Sequence, residues 1–312
     1  MKFLHLVFLL VLGLSQFQTT NAQYLRDSTR VIGLSQGSDS DSINLFTHYL
    51  SNEQFNISLH PTFNIPQIEV VFDDVSVPLF LDFGNSGDIL ITNAISSLVD
   101  YSVSDTIYTY TPSGEVRGVI ESVIFPEVRV LGEKFTNVAG NVANWSIFST
   151  EPINGIVGLN YLAGKCFTLS CRNLKIGVSS KSINQSFPSL SNNAIDLETF
   201  AFHPTGVYFK GMVNNINAIV YFDTGKSHTM INSELLPPEM IATDKSGGYY
   251  KGEVQLVFGQ FQFSIYYPRV KLLRRNINSE LPVGIEVGSD VLKFFDVTVD
   301  RSGDRNYLFI QN

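Results

Sequence analysis

Two stretches of this chain end an apolar run in the same way. In Val77-Pro78-Leu79-Phe80-Leu81-Asp82-Phe83-Gly84-Asn85-Ser86 and in Ala218-Ile219-Val220-Tyr221-Phe222-Asp223-Thr224-Gly225-Lys226-Ser227, strand-forming residues lead into an aspartate. A glycine follows two positions later and a serine four positions later. Each stretch reads as a strand delivering a carboxylate to a sharp turn. One such turn alone is ordinary, because Asp readily bonds its own backbone in loops. Two of them imply two similar halves and an arrangement in which the acids meet.

The surroundings of the loops repeat as well. Ile65 to Phe72 and Val75 to Leu81 read as paired strands before Asp82, and Ile89-Leu90-Ile91 resumes a strand after it. Ala201 to Phe209 and Ile216 to Phe222 frame a hairpin before Asp223, and Thr229-Met230-Ile231 resumes. The turns at Ser113–Gly118 and Gly247–Gly252 correspond, as do the β-rich runs Gly118–Val130 and Val254–Val270. Thr168 to Val178 continues the β pattern, Val287 to Leu292 opens a short helix or turn, and strands at Phe295–Val299 and Tyr307–Ile310 follow. Two long copies describe a duplicated β domain rather than a solenoid. The Ser/Asn/Pro-rich stretch Ser179–Asn193 marks the join. The expected division is an N-terminal lobe over 61–185 and a C-terminal lobe over 186–312. Residues 23–60 form a preceding segment. Phe46, Tyr49, Leu50, Phe55 and Leu59 give it apolar surface to pack on the first lobe, with a removable leader as the alternative.

The 24 Phe, 13 Tyr and 23 Gly residues suit β-structure broken by tight turns. A formal charge of -8 and the lack of a basic stripe argue against nucleic acid as a partner. Residues 1–22 read as an export signal: Lys2, an apolar run from Phe3 to Leu14, then a processing region near Ala22. The run is too short to span a bilayer comfortably, and no later segment is long enough, so the mature chain is expected to lack a membrane span. The expected location is extracytoplasmic: periplasm, cell surface or secretory compartment. Export permits a disulfide between the two cysteines, Cys166 and Cys171, which would close one small local loop. His48, His60, His203 and His228 show no metal-ligand spacing, and neither a metal nor a cofactor is expected.

Two carboxylates held against one water can divide the work of hydrolysis. The ionised member takes a proton from the water, while the protonated member bonds the carbonyl oxygen under attack. Gly84 and Gly225 let backbone approach the carboxylates. Ser86 and Ser227 are expected to donate to their outer oxygens, and the Thr224 hydroxyl to bond across the junction.

With these residues in view, the chain from about Ile65 onward resembles the pepsin-like and retropepsin-like aspartic proteases. Phe222-Asp223-Thr224-Gly225-Lys226-Ser227 matches their catalytic signature except at Lys226, and Leu81-Asp82-Phe83-Gly84-Asn85-Ser86 matches except for Phe83. Ile156-Val157-Gly158 resembles the family's supporting apolar-apolar-Gly motif. Val287-Gly288 resembles the second copy, with Glu286 interrupting the apolar pair. The resemblance implies an all-β, two-lobed acid-protease fold with compact, barrel-like lobes related by a pseudo-two-fold axis. It implies Asp82 and Asp223 as the catalytic pair, supported by Gly84, Ser86, Thr224, Gly225 and Ser227. It also implies a cleft-covering hairpin with Tyr110, or else Tyr108, as its aromatic and Gly114 at its turn, with Tyr249 or Tyr250 on the second-half counterpart. The implied function is a secreted aspartic endopeptidase acting on peptide or protein substrates, for which a monomer suffices. Because Phe83 lacks the hydroxyl that interlocks the loops in this family, a catalytically weak or inactive peptide-binding module is the alternative. A β-rich carbohydrate-binding or adhesion protein, in which both Asp loops are mere turns, is a third reading without a symmetric cleft.

Overall fold

The computed structural model describes residues 31–32, 54–85, 87, 89–110, 116–145, 153–183, 194–201, 203–244, 247–259, 261–273 and 277–311. The expected export signal at 1–22 lies outside them.

Alternation decides which side of each strand faces inward. In Pro66–Phe72, residues Pro66, Ile68, Val70 and Phe72 are buried, and the residues between them are not. The first described strands are β1 (Val31–Ile32) and β2 (Gln54–Leu59). The first lobe contains β3 (Pro66–Phe72), β4 (Val75–Asp82), β5 (Ile89–Thr92), β6 (Ser102–Tyr110), β7 (Val116–Val130), β8 (Glu133–Trp145) and β9 (Gly155–Gly158). A hairpin of β10 (Cys166–Ser170) and β11 (Lys175–Ser179) follows, then the short β12 (Ile195–Asp196) and β13 (Glu198–Phe200). The second lobe contains β14 (His203–Val213), β15 (Ile216–Phe222), β16 (Met230–Asn232), β17 (Ile241–Asp244), β18 (Gly247–Tyr250), β19 (Glu253–Phe258), β20 (Phe261–Tyr266), β21 (Arg269–Lys271) and β22 (Val283–Val287). One helical turn, α1 (Ser289–Leu292), leads to β23 (Asp296–Asp300) and β24 (Tyr307–Gln311).

The fold is all-β with two lobes. In the first, β3 pairs with β4, β4 with β9, β9 with β5, β5 with β8, β8 with β7, and β7 with β3 again. That circuit closes a six-stranded barrel and removes its edges. The second lobe follows the order β19-β14-β15-β22-β16-β21-β18-β17 without returning on itself, and forms a curled half-barrel. An antiparallel layer links the halves, in the order β12-β24-β23-β10-β11-β2-β3. Its seam is β10 against β23, where the buried hydroxyls of Thr168 and Thr298 lie 2.7 Å apart.

Four local expectations change. The β-rich stretch from Thr168 is a hairpin of two strands, and the run from Val254 is three strands. Glu286 does not interrupt the second supporting motif: β22 runs through it, and the residue is only 4% exposed. The expected disulfide is absent, and both cysteines are buried free thiols. Cys166 opens β10 and Cys171 directly follows its end, so extended chain holds them about 15 Å apart. A disulfide needs Cα atoms within about 7 Å. Cys166 packs with Ile183 and Phe309, and Cys171 joins the main core.

Candidate functional site

Each aspartate stands where a parallel strand pair ends. Leu81 and Asp82 of β4 lie beside Val157 and Gly158 of β9, and Tyr221 and Phe222 of β15 lie beside Glu286 and Val287 of β22. These strands are buried on both faces, which explains their continuous apolar runs. The return strands match too: β5 runs antiparallel to β9, and β16 antiparallel to β22. A glycine closes each supporting motif because the loop above leaves no space for a side chain. A Cβ on Gly158 would fall 2.9 Å from the Gly87 carbonyl oxygen, and one on Gly288 would fall 2.8 Å from that of His228.

The two loops exchange contacts reciprocally. A Cβ placed on Gly84 would lie 2.6 Å from Cγ of Asp223, and one placed on Gly225 would lie 2.6 Å from Oδ2 of Asp82. Each carboxylate therefore occupies the space that a side chain on the opposite loop would need. Both aspartates are buried, Asp82 at 9% and Asp223 at 3% exposure. Each carboxylate is held by its own turn. Gly84 N donates to Asp82 Oδ1 at 2.7 Å, and Gly225 N donates to Asp223 Oδ1 at 3.1 Å.

Thr224 bonds across the junction. Its Oγ1 accepts from the Phe83 N–H at 2.9 Å and donates to the Leu81 carbonyl at 2.5 Å. Phe83 returns no such bond. Its ring is fully buried and packs edge-on against Phe167, with centroids 5.7 Å apart. Its contribution is core packing, a burial of about 2–3 kcal/mol. The Tyr221 hydroxyl also reaches over from the second half, donating to the Phe83 carbonyl at 3.5 Å.

The remaining expected residues are placed unevenly. Ser227 is half-buried, and no described hydrogen bond ties it to Asp223. Ser86 lies outside the described residues. The expected hairpin is formed by β6 and β7, with Tyr108 opposite Val119 and 55% exposed. Tyr110 ends β6, but its side chain is outside the described ones, as is Gly114. The second lobe has the matching hairpin: β18 pairs with β21 and β21 runs parallel to β16, as β7 pairs with β8 and β8 runs parallel to β5. There Tyr250 is buried in the core and Tyr249 is half-buried. Among the described residues no three His, Cys, Asp or Glu side chains converge as a metal ion requires. No helix among them is long and apolar enough to cross a membrane.

Some supports escaped the sequence reading. Ser289 donates its hydroxyl to the Thr224 carbonyl at 2.7 Å and its N–H to the Lys226 carbonyl at 2.8 Å, fixing the second loop from below. Leu159 N does the same for the first loop through the Asn85 carbonyl at 3.2 Å. Asp290 accepts from both the N–H and the hydroxyl of Thr229 at 2.8 Å. The signal available was Gly-Ser-Asp directly after a buried strand, where a helix begins. Burial lowers the imidazole pKa of the adjoining His228. The Arg269 and Lys293 charges add to that, and Asp290 opposes it.

Neither the protein-family models nor the curated proteins compared with this chain give a match.

Proposed function

We propose that this chain is an aspartic endopeptidase acting outside the cytoplasm, with Asp82 and Asp223 as its water-activating pair. The observation that carries the reading is the reciprocal seating of each carboxylate against the glycine of the opposite loop. Two separate turn-capping acids have no reason to meet in that way. Carboxylates brought to one junction are suited to hold one water. The ionised partner removes its proton as the water attacks a peptide carbonyl, and the protonated partner stabilises the developing oxyanion. Burial of the loops and backbone donation at Gly84 and Gly225 keep the pair oriented. An extended peptide would lie between the lobes and pair its backbone as an added strand. The apolar run from Phe3 to Leu14, followed by a processing region near Ala22, supports export.

The test is cleavage of a peptide mixture between about pH 3 and 7, set beside Asp82→Asn and Asp223→Asn. Loss of cleavage in both variants supports the reading, and cleavage retained in both removes it. The one-way tie at Phe83 favours a second reading, a module that binds extended peptides without cutting them. Tight binding by the wild type with no products would establish that instead.

A further inference from the structure

The two loops differ at the position before the glycine, Phe83 against Thr224, and again at the position after it. In the first loop this residue is Asn85, buried and neutral, with its Oδ1 accepting from Gly87 N at 2.9 Å. In the second it is Lys226, half-buried on the residue next to Gly225, against which the Asp82 carboxylate rests. Its backbone is fixed on both sides: the N–H donates to the Asp223 carbonyl at 3.1 Å and the C=O accepts from Ser289 at 2.8 Å. The four-carbon stem that carries its ammonium therefore starts from a fixed point, one residue from the Gly225–Asp82 contact. Among the described residues it forms no ion pair.

Two further cations lie near this loop. Arg269 is held one strand away, its N–H donating to the Thr229 carbonyl at 3.1 Å, and Lys293 directly follows α1. Both charges act on His228. The acids packed under this loop, Asp290 and Glu286, are buried at 5% and 4% exposure, and one oxygen of Asp290 is already taken twice by Thr229. In a chain of net charge -8, Lys226 sets a cation on one side of a pseudo-symmetric site, where the other side carries the neutral Asn85. A charge on one half alone distinguishes the two ends of a bound peptide.

We propose that Lys226 is a specificity-determining residue that selects peptides carrying a carboxylate side chain on one side of the reacting bond. The inference rests on the endopeptidase reading. An ammonium gains most from an ionised partner, and a neutral amide of the same shape offers only a weaker bond.

The experiment uses peptide pairs identical except for Glu against Gln at each position flanking the reacting bond, assayed at about pH 5.5, where a free Glu is mostly ionised. Wild type is expected to favour Glu at one position, on one side only, by about tenfold in kcat/KM, chiefly through KM. Lys226→Gln should bring that ratio to about one, and Lys226→Arg should preserve it. Added salt should shrink it. Equal cleavage of every pair by the wild type, or a preference that survives in Lys226→Gln, overturns the proposal. A pH profile that moves in Lys226→Gln without any change in the Glu/Gln ratio overturns it too. If no peptide is cut at all, the endopeptidase reading fails. Fluorescence anisotropy of the same labelled pairs then decides Lys226 by the same ratio of affinities.

Discussion

The Thr224 hydroxyl grips Asp82 from both sides, taking the N–H of Phe83 at 2.9 Å and giving its own proton to the carbonyl of Leu81 at 2.5 Å. One side chain from the second half thus fixes the main chain on either side of the first-half acid. Thr224→Val keeps the shape and removes both bonds, leaving two buried polar groups unsatisfied. Denaturant unfolding should show a loss of about 3 kcal/mol, and Thr224→Ser should recover most of it.

Gly84→Ala and Gly225→Ala each insert a methyl group where the opposing carboxylate sits. The carboxylate must move, and a displacement of about an ångström is enough to cost on the order of a hundredfold in rate. Both variants are expected to keep the wild-type far-ultraviolet circular dichroism while losing cleavage. Comparable loss from either glycine is the mark of a shared site.

Phe83→Thr restores the hydroxyl that the first loop lacks, yet it empties the space beside Phe167. The cavity should dominate, with stability falling by about 3 kcal/mol in thermal or denaturant unfolding. An equal or higher stability would show that the loop repacks around the smaller side chain.

His228 supplies a pH dependence with a definite sign. Its folded pKa lies below the ordinary 6.5 because burial disfavours the imidazolium, with Arg269 and Lys293 adding to the shift and Asp290 opposing it. The unfolded chain therefore takes up this proton first as pH falls. The contribution is fully present above about pH 6.5 and is lost as pH drops through the lower, folded value. His228→Gln should flatten the stability curve across that window, as measured by unfolding at a series of pH values.

Both thiols should be silent in the folded protein. Burial pushes the Cys171 thiol up to about 12, with Asp296 adding to it, and raises Cys166 beside Asp300. Alkylating reagents are expected to label two thiols per chain only after unfolding, and a reductant should leave the melting temperature unchanged.

The paired loops were legible because their chemistry is local: a strand, an acid and a glycine mark the same turn wherever they occur. β8 was not, because Glu133–Trp145 mixes exposed Lys134, Thr136 and Asn137 with glycine, and it earns its place only by pairing with β5 and β7. Glu286 looked like a break in an apolar motif, whereas both neighbouring strands hold β22 in register through it. The direction of the Phe83 ring depends on Phe167, far along the chain, and no local pattern announces that contact. The disulfide expectation failed for a related reason. Nearness in sequence implies nearness in space only where the chain turns, and β10 does not.

The seam between β10 and β23 also sets an order of events during synthesis. Every strand of the first barrel has been made by Gly158, so that barrel can close early. The β10 edge cannot, because its partner ends at Asp300. Until then a row of unpaired backbone groups, bearing the buried residues Phe167 and Leu169, stays open on the nascent chain. The slow, concentration-sensitive stage of folding should be this final docking rather than the formation of either lobe.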